Sequence, residues 1–199
     1  MTLVIGLTGS IATGKSTVSL MFDEFNIPVV DADKLSREVV RPGEEAYNEI
    51  VAAFGKQILR EDQTLDRDKL GQIIFADEAK RNTLNQIVHP AVRKKMIEKR
   101  DAYVKQKEKC IVLDIPLLFE SKLTGFVDKS IVVYVDEAVQ LKRLMDRNGY
   151  AKEEAMQRIS SQIPVKEKAD LADEVIDNNG SKIESCRQLE SILIRWGVI

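Results

Sequence analysis

The chain has 199 residues, 44% of them apolar and 31% charged, with a formal net charge of −2 and two cysteines. That is enough apolar material for one domain or for a core with an insertion, and the balanced charge gives no global pull toward nucleic acid or a membrane surface. No stretch approaches the roughly 18 apolar residues of a membrane span, and the brief apolar start lacks the basic flank of a secretory leader. Cys110 and Cys186 show no metal-ligand spacing and read as reduced core residues of a cytoplasmic protein.

The opening run LVIGLTG, residues 3–9, is too short for a buried helix and reads as a core strand. It leads directly into Gly9-x-x-x-x-Gly14-Lys15-Ser16, a phosphate-binding loop in the context that gives the pattern meaning. Gly9 and Gly14 let the backbone turn back on itself and aim several N–H groups at one point. The helix that follows adds its unpaired N–H groups and positive dipole end. Ala12, Thr13 and Thr17 complete the stretch expected around the phosphates of a nucleoside triphosphate. Lys15 supplies a mobile cation for the outer phosphates, and the Ser16 hydroxyl is a hard oxygen ligand for Mg²⁺.

Val18, Met21, Phe22 and Phe25 follow at helical spacing, and residues 27–30 form a second short strand. Residues 32–109 then carry no convincing strand. Their apolar stripes are helical: Leu35, Val39 and Val40; Tyr47, Ile50, Val51 and Phe54; Leu70, Ile73, Ile74 and Phe75; then Leu84 to Tyr103, with a break expected at His89-Pro90. Strands return at 110–115, 130–135 and 174–176. Helices follow Asp136 and Ser181, the latter with Glu184 placed for a capping box. This order predicts an α/β fold: a five-stranded parallel sheet with helices on both faces, a P-loop kinase core. Residues 1–31 and 110–199 form that nucleotide-binding core, 32–109 a helical second domain, and 146–165 a short helical lid.

Open α/β sheets place ligands at the carboxyl ends of their strands. Asp31 and Asp33 follow the second strand, Asp114 closes the third in the manner of a Mg²⁺-supporting aspartate, and Asp177 follows the last. Helix capping accounts for one of Asp31 and Asp33 but hardly both, and turn chemistry accounts for Asp177. A kinase acting on a hydroxyl needs a carboxylate near the acceptor and cations on the transferring phosphoryl group. Asp33 is the candidate base. Arg143 and Arg147 share one helix face four residues apart, before Gly149 and a second polar helix with Arg158 and Gln162. That is the pattern of a closing lid, set against an ordinary solvated face paired with Asp146, Glu153 and Glu154.

Four stretches resemble the dephospho-CoA kinase family: GLTGSIATGKST at 6–17, VDADKLSREVVRPG at 30–43, DIPLLFE at 114–120 and VIDNNGS at 175–181. FGKQIL, LDRDKL, VHP and the segment from QLKRLMDRNG to SSQ match between them in order, so the resemblance covers nearly the whole chain. It implies transfer of the ATP γ-phosphoryl to the ribose 3′-hydroxyl of dephospho-CoA, with Mg²⁺, and it makes 32–109 the CoA-substrate domain. By matching position it implies Asp33 as base, Arg143 and Arg147 as phosphate contacts from the lid, and Asn178 as a neighbour of the adenine. Thr8, Asp31, Asp33 and His89 fall on the substrate side, His89 as a contact at most. Neither nucleic acid nor membrane is an expected partner, and the expected state is a monomer or weak homo-oligomer. Ser10 and Ala12 depart from the pattern, since the family usually carries glycines there, and a Cβ at residue 12 tolerates a positive φ poorly. A nucleoside or shikimate-type kinase shares the loop and lid but not the DAD-to-HP stretch. A nucleotide-dependent switch is the reading from another class, though no Asn-Lys-x-Asp guanine motif is present.

Overall fold

Five strands, β1 (Leu3–Gly9), β2 (Val29–Asp31), β3 (Cys110–Asp114), β4 (Lys129–Tyr134) and β5 (Glu174–Asp177), form one sheet in the order β2-β3-β1-β4-β5. The structure is a computed structural model that describes residues 2–199. β1 runs parallel to both neighbours, with Leu7 opposite Asp114 of β3 and Ile131 of β4, and β4 runs parallel to β5. The central strands are near-continuous apolar runs because both of their faces are covered. Ile5 and Leu7 share one core with Val112, Ile131, Val133 and Ile176, closed by Val18 and Met21 of α1 (Lys15–Met21) and by Leu189, Ile192 and Leu193 of α9 (Lys182–Arg195). Side chains alternate along a strand, so Gly6 faces the other way. A Cβ there would lie 3.0 Å from Leu118 and 3.1 Å from Val127, so the β3–β4 connection covers that face closely. Burial pushes the Cys110 thiol up to about 12, which makes it a packing group.

The chain divides into two units, Met1–Val30 with Tyr103–Ile199, and Asp31–Ala102. In the first, α6 (Glu137–Asn148) ends at Gly149, whose φ of +70° forms a left-handed cap. Two further helices follow, α7 (Lys152–Ser160) and α8 (Val165–Leu171). α8 was not expected from the periodicity, because its seven residues carry a lysine on the buried stripe. The capping box expected at Ser181 and Glu184 is present.

The second unit contains α2 (Ala32–Glu38), α3 (Glu45–Phe54), α4 (Arg67–Ala76) and most of α5 (Glu78–Lys105). Tyr47, Ile50, Phe54, Ile58, Leu65 and Leu70 form its own core, flanked by Ile73, Ile74, Leu84 and Val88. The break expected at His89-Pro90 is absent: α5 runs through Pro90. Pro90 removes one backbone donor, which leaves the Gln86 carbonyl without its helical partner. Gln86, His89 and Pro90 are all exposed, so that carbonyl needs no partner from the protein interior and the helix continues. No helix among the described residues is long and apolar enough to cross a membrane.

Candidate active site

The carboxyl end of β1 turns into a loop whose backbone is fixed almost plane by plane. The Thr13 N–H donates to Ser10 O at 3.2 Å, and the Thr13 hydroxyl donates to the same oxygen at 2.9 Å. Gly14 sits at φ +88°, and a Cβ there would collide with the Asn178 amide. Ala12 also sits in the left-handed region, at φ +62°. For a residue with a Cβ that conformation costs about 1–2 kcal/mol, so the expected strain is real and the loop closes despite it. The N–H groups of Ala12, Gly14, Lys15 and Ser16 have no acceptor among the described residues. Four donors left open at a helix start form a cradle for an anion.

Lys15 leads α1 and places its Nζ 2.5 Å from Asp114 Oδ1. The Asp114 carboxylate is nearly inaccessible, so Lys15 neutralises a charge that burial alone would make costly. The strand register explains the meeting, since Asp114 ends β3 beside Leu7. Ser16 is exposed, and its hydroxyl has no hydrogen-bond partner among the described residues. One hydroxyl and one carboxylate suit Mg²⁺, which takes few protein ligands and completes its shell with phosphate and water. They do not suit a metal held by protein alone, and no group of three or more His, Cys, Asp or Glu side chains able to hold one occurs among the described residues.

Asn178, just after β5, is buried and joins this loop. Its Nδ2 donates to Thr13 O at 2.7 Å, and its Oδ1 accepts from the Ser185 hydroxyl at 2.8 Å. Arg143 of α6 donates from Nη2 to Asn178 O at 3.0 Å. Its other terminal nitrogen lies 3.8 Å from the point where a Gly14 Cβ would sit. Arg143 is thus anchored beside the loop. Arg147, one turn on, is exposed and donates only to neighbouring Asn148 at 2.8 Å. Arg158 pairs with Glu154 at 3.0 Å and stacks over Tyr150 at 4.4 Å, so its cation is engaged within its own stretch of chain.

Thr8 is fully buried and its hydroxyl donates to Pro116 O at 3.0 Å. Asp31, Asp33 and His89 belong to the other unit. Asp31 is the cap of α2, accepting from Lys34 N at 2.9 Å. Asp33, in the first turn, is exposed, and its carboxylate has no hydrogen-bond or ion-pair partner among the described residues. Capping therefore accounts for one acid of the pair and leaves the other unexplained by structure. His89 is exposed on α5.

One group escaped the sequence reading altogether. Lys168 of α8 is fully buried, and its ammonium donates to Gly9 O at 3.0 Å, to Pro116 O at 3.4 Å and to Glu120 Oε1 at 2.6 Å. Three donors meet three acceptors. Glu120 Oε1 also accepts from Ile163 N at 3.3 Å, so this junction joins the first glycine of the loop to the β3–β4 connection and the segment between α7 and α8. The only available signal was the spacing of Val165 and Lys168, which puts a lysine on an apolar stripe.

A family model described as dephospho-CoA kinase matches residues 3–184. The chain is 61% identical to the dephospho-CoA kinase of Oceanobacillus iheyensis, with all of both chains covered, and 57% identical to that of Geobacillus kaustophilus, covering 100% of this chain and 99% of the relative. Among solved structures it resembles a dephospho-CoA kinase from Campylobacter jejuni at a TM-score of 0.77, 29% identity and full coverage of both chains. A shikimate kinase from Aquifex aeolicus, at 15% identity and a TM-score of 0.51 over 98% of this chain and 99% of that one, shares the fold alone.

Proposed function

Because the chain belongs to the dephospho-CoA kinase family, we propose how its own residues carry the transfer of the ATP γ-phosphoryl to the ribose 3′-hydroxyl of dephospho-CoA. The observation that carries the assignment is the cradle itself: four open N–H donors around a left-handed Gly14, with the Lys15 ammonium held against Asp114. The open donors bind the inner phosphates of ATP and fix them. Lys15 exchanges its Asp114 contact for the outer phosphates, where its charge counts most as negative charge moves during transfer. Arg143, anchored at Asn178, supplies a second cation from the side of α6, and Arg147 a third from further out. Asn178 lies next to the adenine.

Ser16 directly, and Asp114 through water, would hold a Mg²⁺ ion, which would supply positive charge to offset that of the phosphates. Asp33 holds the acceptor hydroxyl in line and takes its proton late in the transfer, the work of a carboxylate that has no structural task. The unit Asp31–Ala102 binds the acceptor, with Asp31 and His89 on the substrate side, and residues 146–165 act as the lid that excludes water. Free thiols at both cysteines agree with a cytoplasmic setting.

The test is direct. Purified protein incubated with Mg-ATP and dephospho-CoA should form coenzyme A, read as the mass gain of one phosphoryl group, with ADP released in equal amount. ATP turnover that proceeds equally well without the acceptor would instead identify a nucleotide-dependent switch or sensor.

A further inference from the structure

Ala12 holds a left-handed backbone without the freedom of glycine, and the contacts around it show what holds it there. The preceding residue, Ile11, is gripped from both sides by glutamines. Gln140 of α6 is buried, and its Nε2 donates to Ile11 O at 2.7 Å. Gln162, between α7 and α8, accepts from Ile11 N at 2.8 Å through its Oε1. The Ile11–Ala12 peptide plane is therefore fixed by Gln140, and the plane before it by Gln162. The planes after Ala12 are fixed by Thr13 N to Ser10 O and by Asn178 to Thr13 O. Every peptide plane around the strained residue has a partner. Strained backbone persists only where its surroundings over-determine it, and here two of the determinants are side chains with no acid, base or charge to offer the reaction.

We infer that Gln140 and Gln162 are positioning residues of the nucleotide site: they hold the Ile11 peptide groups so that Ala12 stays left-handed and the open N–H donors of residues 12–16 keep their phosphate-binding array. They supply from outside the loop what glycine at position 12 would supply by conformational freedom. The inference rests on the phosphate-loop reading and adds a physical coupling to it. Because Gln162 lies in the lid segment, the lid and the binding shape of the loop are linked through one peptide group. Without the clamp, relaxation of Ala12 into its preferred region competes with binding. The cost of that left-handed backbone sets the scale of the loss at about tenfold in affinity.

The experiment is a double-mutant cycle on the full chain, with ADP as the probe and titration calorimetry as the readout. Gln140→Met keeps the volume and removes the donor, and Gln162→Met removes the acceptor at a half-buried position that tolerates change. Each is combined with Ala12→Gly. With Ala12 in place, each glutamine variant should weaken ADP binding about tenfold and raise the KM for ATP more than it lowers kcat. In the Ala12→Gly background the same substitution should cost threefold or less, because glycine has no preferred region to relax into. Equal losses in both backgrounds would overturn the inference, since a merely structural role is blind to residue 12. An Ala12→Gly enzyme that itself binds ADP tenfold more weakly would overturn it too, because Ala12 would then be no site of strain. If Gln140→Met lowers the yield of folded protein, the Gln162→Met cycle alone decides the matter. Wild-type protein that fails to bind ADP at all would refute the phosphate-loop reading itself, a result distinct from additive losses in the cycle.

Discussion

The phosphate loop and the first turn of α2 both carry residues assigned to the reaction, and they are built in opposite ways. Around the loop, Lys15, Gln140, Arg143, Gln162, Lys168 and Asn178 all spend their polar groups on fixed partners. At α2, Asp31 caps the helix and the Asp33 carboxylate has no hydrogen-bond or ion-pair partner among the described residues. The difference follows from the ligands. A triphosphate presents the same charges to every enzyme of this kind, and a preorganised array binds it without reorganisation. An acceptor hydroxyl arrives on a large, flexible molecule, and the role proposed for Asp33 asks for a carboxylate left uncommitted until the substrate supplies its partner.

The sharpest way to break this contrast is at Lys15. Lys15→Ala should lower kcat/KM by roughly 10³-fold or more, since it removes a cation aimed at developing phosphate charge. It should also cost stability, on the order of 3 kcal/mol, because it removes one partner of a buried ion pair with Asp114. Lys15→Ala/Asp114→Asn should recover much of the stability and none of the activity, read by chemical denaturation beside steady-state kinetics. An enzyme with Lys15→Ala that turns over normally would remove the loop from the reaction.

At α2 the effects should separate by residue. Asp33→Asn is expected to lower kcat by roughly 10²–10³-fold with ATP affinity and melting temperature nearly unchanged. Asp31→Ala should do the reverse, costing about 1 kcal/mol of stability through the lost cap, whereas Asp31→Asn, which still caps, should be close to wild type on that measure. If Asp33→Asn kept its rate, the exposed carboxylate would be an ordinary surface acid and the base would lie elsewhere.

The two arginines of α6 make the same comparison on one helix. Arg143 is anchored at Asn178 and Arg147 is not. Arg143→Ala should lower kcat between about 10- and 10²-fold, mostly sparing the KM for ATP, because a cation acting in the transition state shows in kcat. Arg147→Ala should cost no more than about threefold. Matching small losses at both positions, and at Lys142, would reduce them to a solvated helix face.

How much of this was legible in the residues depended on whether the cause was local. The strand, the left-handed glycine and the start of α1 lie within 14 consecutive residues, and the Ser181 to Glu184 box within four, so pattern alone located them. The strain at Ala12 was foreseeable from its Cβ. The contacts that surround it were not, because Gln140 and Gln162, which bond to Ile11, lie 129 and 151 residues from it in sequence and carry no signature of a contact. Lys168 was invisible for the same reason: a charged residue on a short helix reads as surface until its three acceptors are seen. Pro90 misled in the other direction. Its local preference against helix was outweighed by exposure, which leaves the stranded carbonyl in no need of a partner from the protein interior.

A final, smaller test uses a tie of the same construction as those at the loop but remote from any assigned role. Asp173, at the entry to β5, accepts from Ser130 N at 2.8 Å, from the Ser130 hydroxyl at 2.9 Å and from Lys129 Nζ at 2.9 Å. Partial burial pushes its carboxyl up, but the hydrogen bonds from Lys129 and Ser130 outweigh that and hold it below the usual value of 3.8. A carboxyl depressed in the folded state stabilises the fold above its unfolded pKa, and that stabilisation is lost as pH falls from about 4 through the folded value. The group is about one-third exposed, so screening limits the effect to about 1 kcal/mol. Urea midpoints measured from about pH 6 down to pH 3.5 should therefore fall less steeply in Asp173→Asn than in wild type, with kcat unchanged near neutrality. Parallel pH slopes would show that the tie holds β4 to β5 by geometry and not by charge. A drop in kcat would show that ties remote from the loop also set its shape, and the contrast between the fixed and the open region would then extend through the whole sheet.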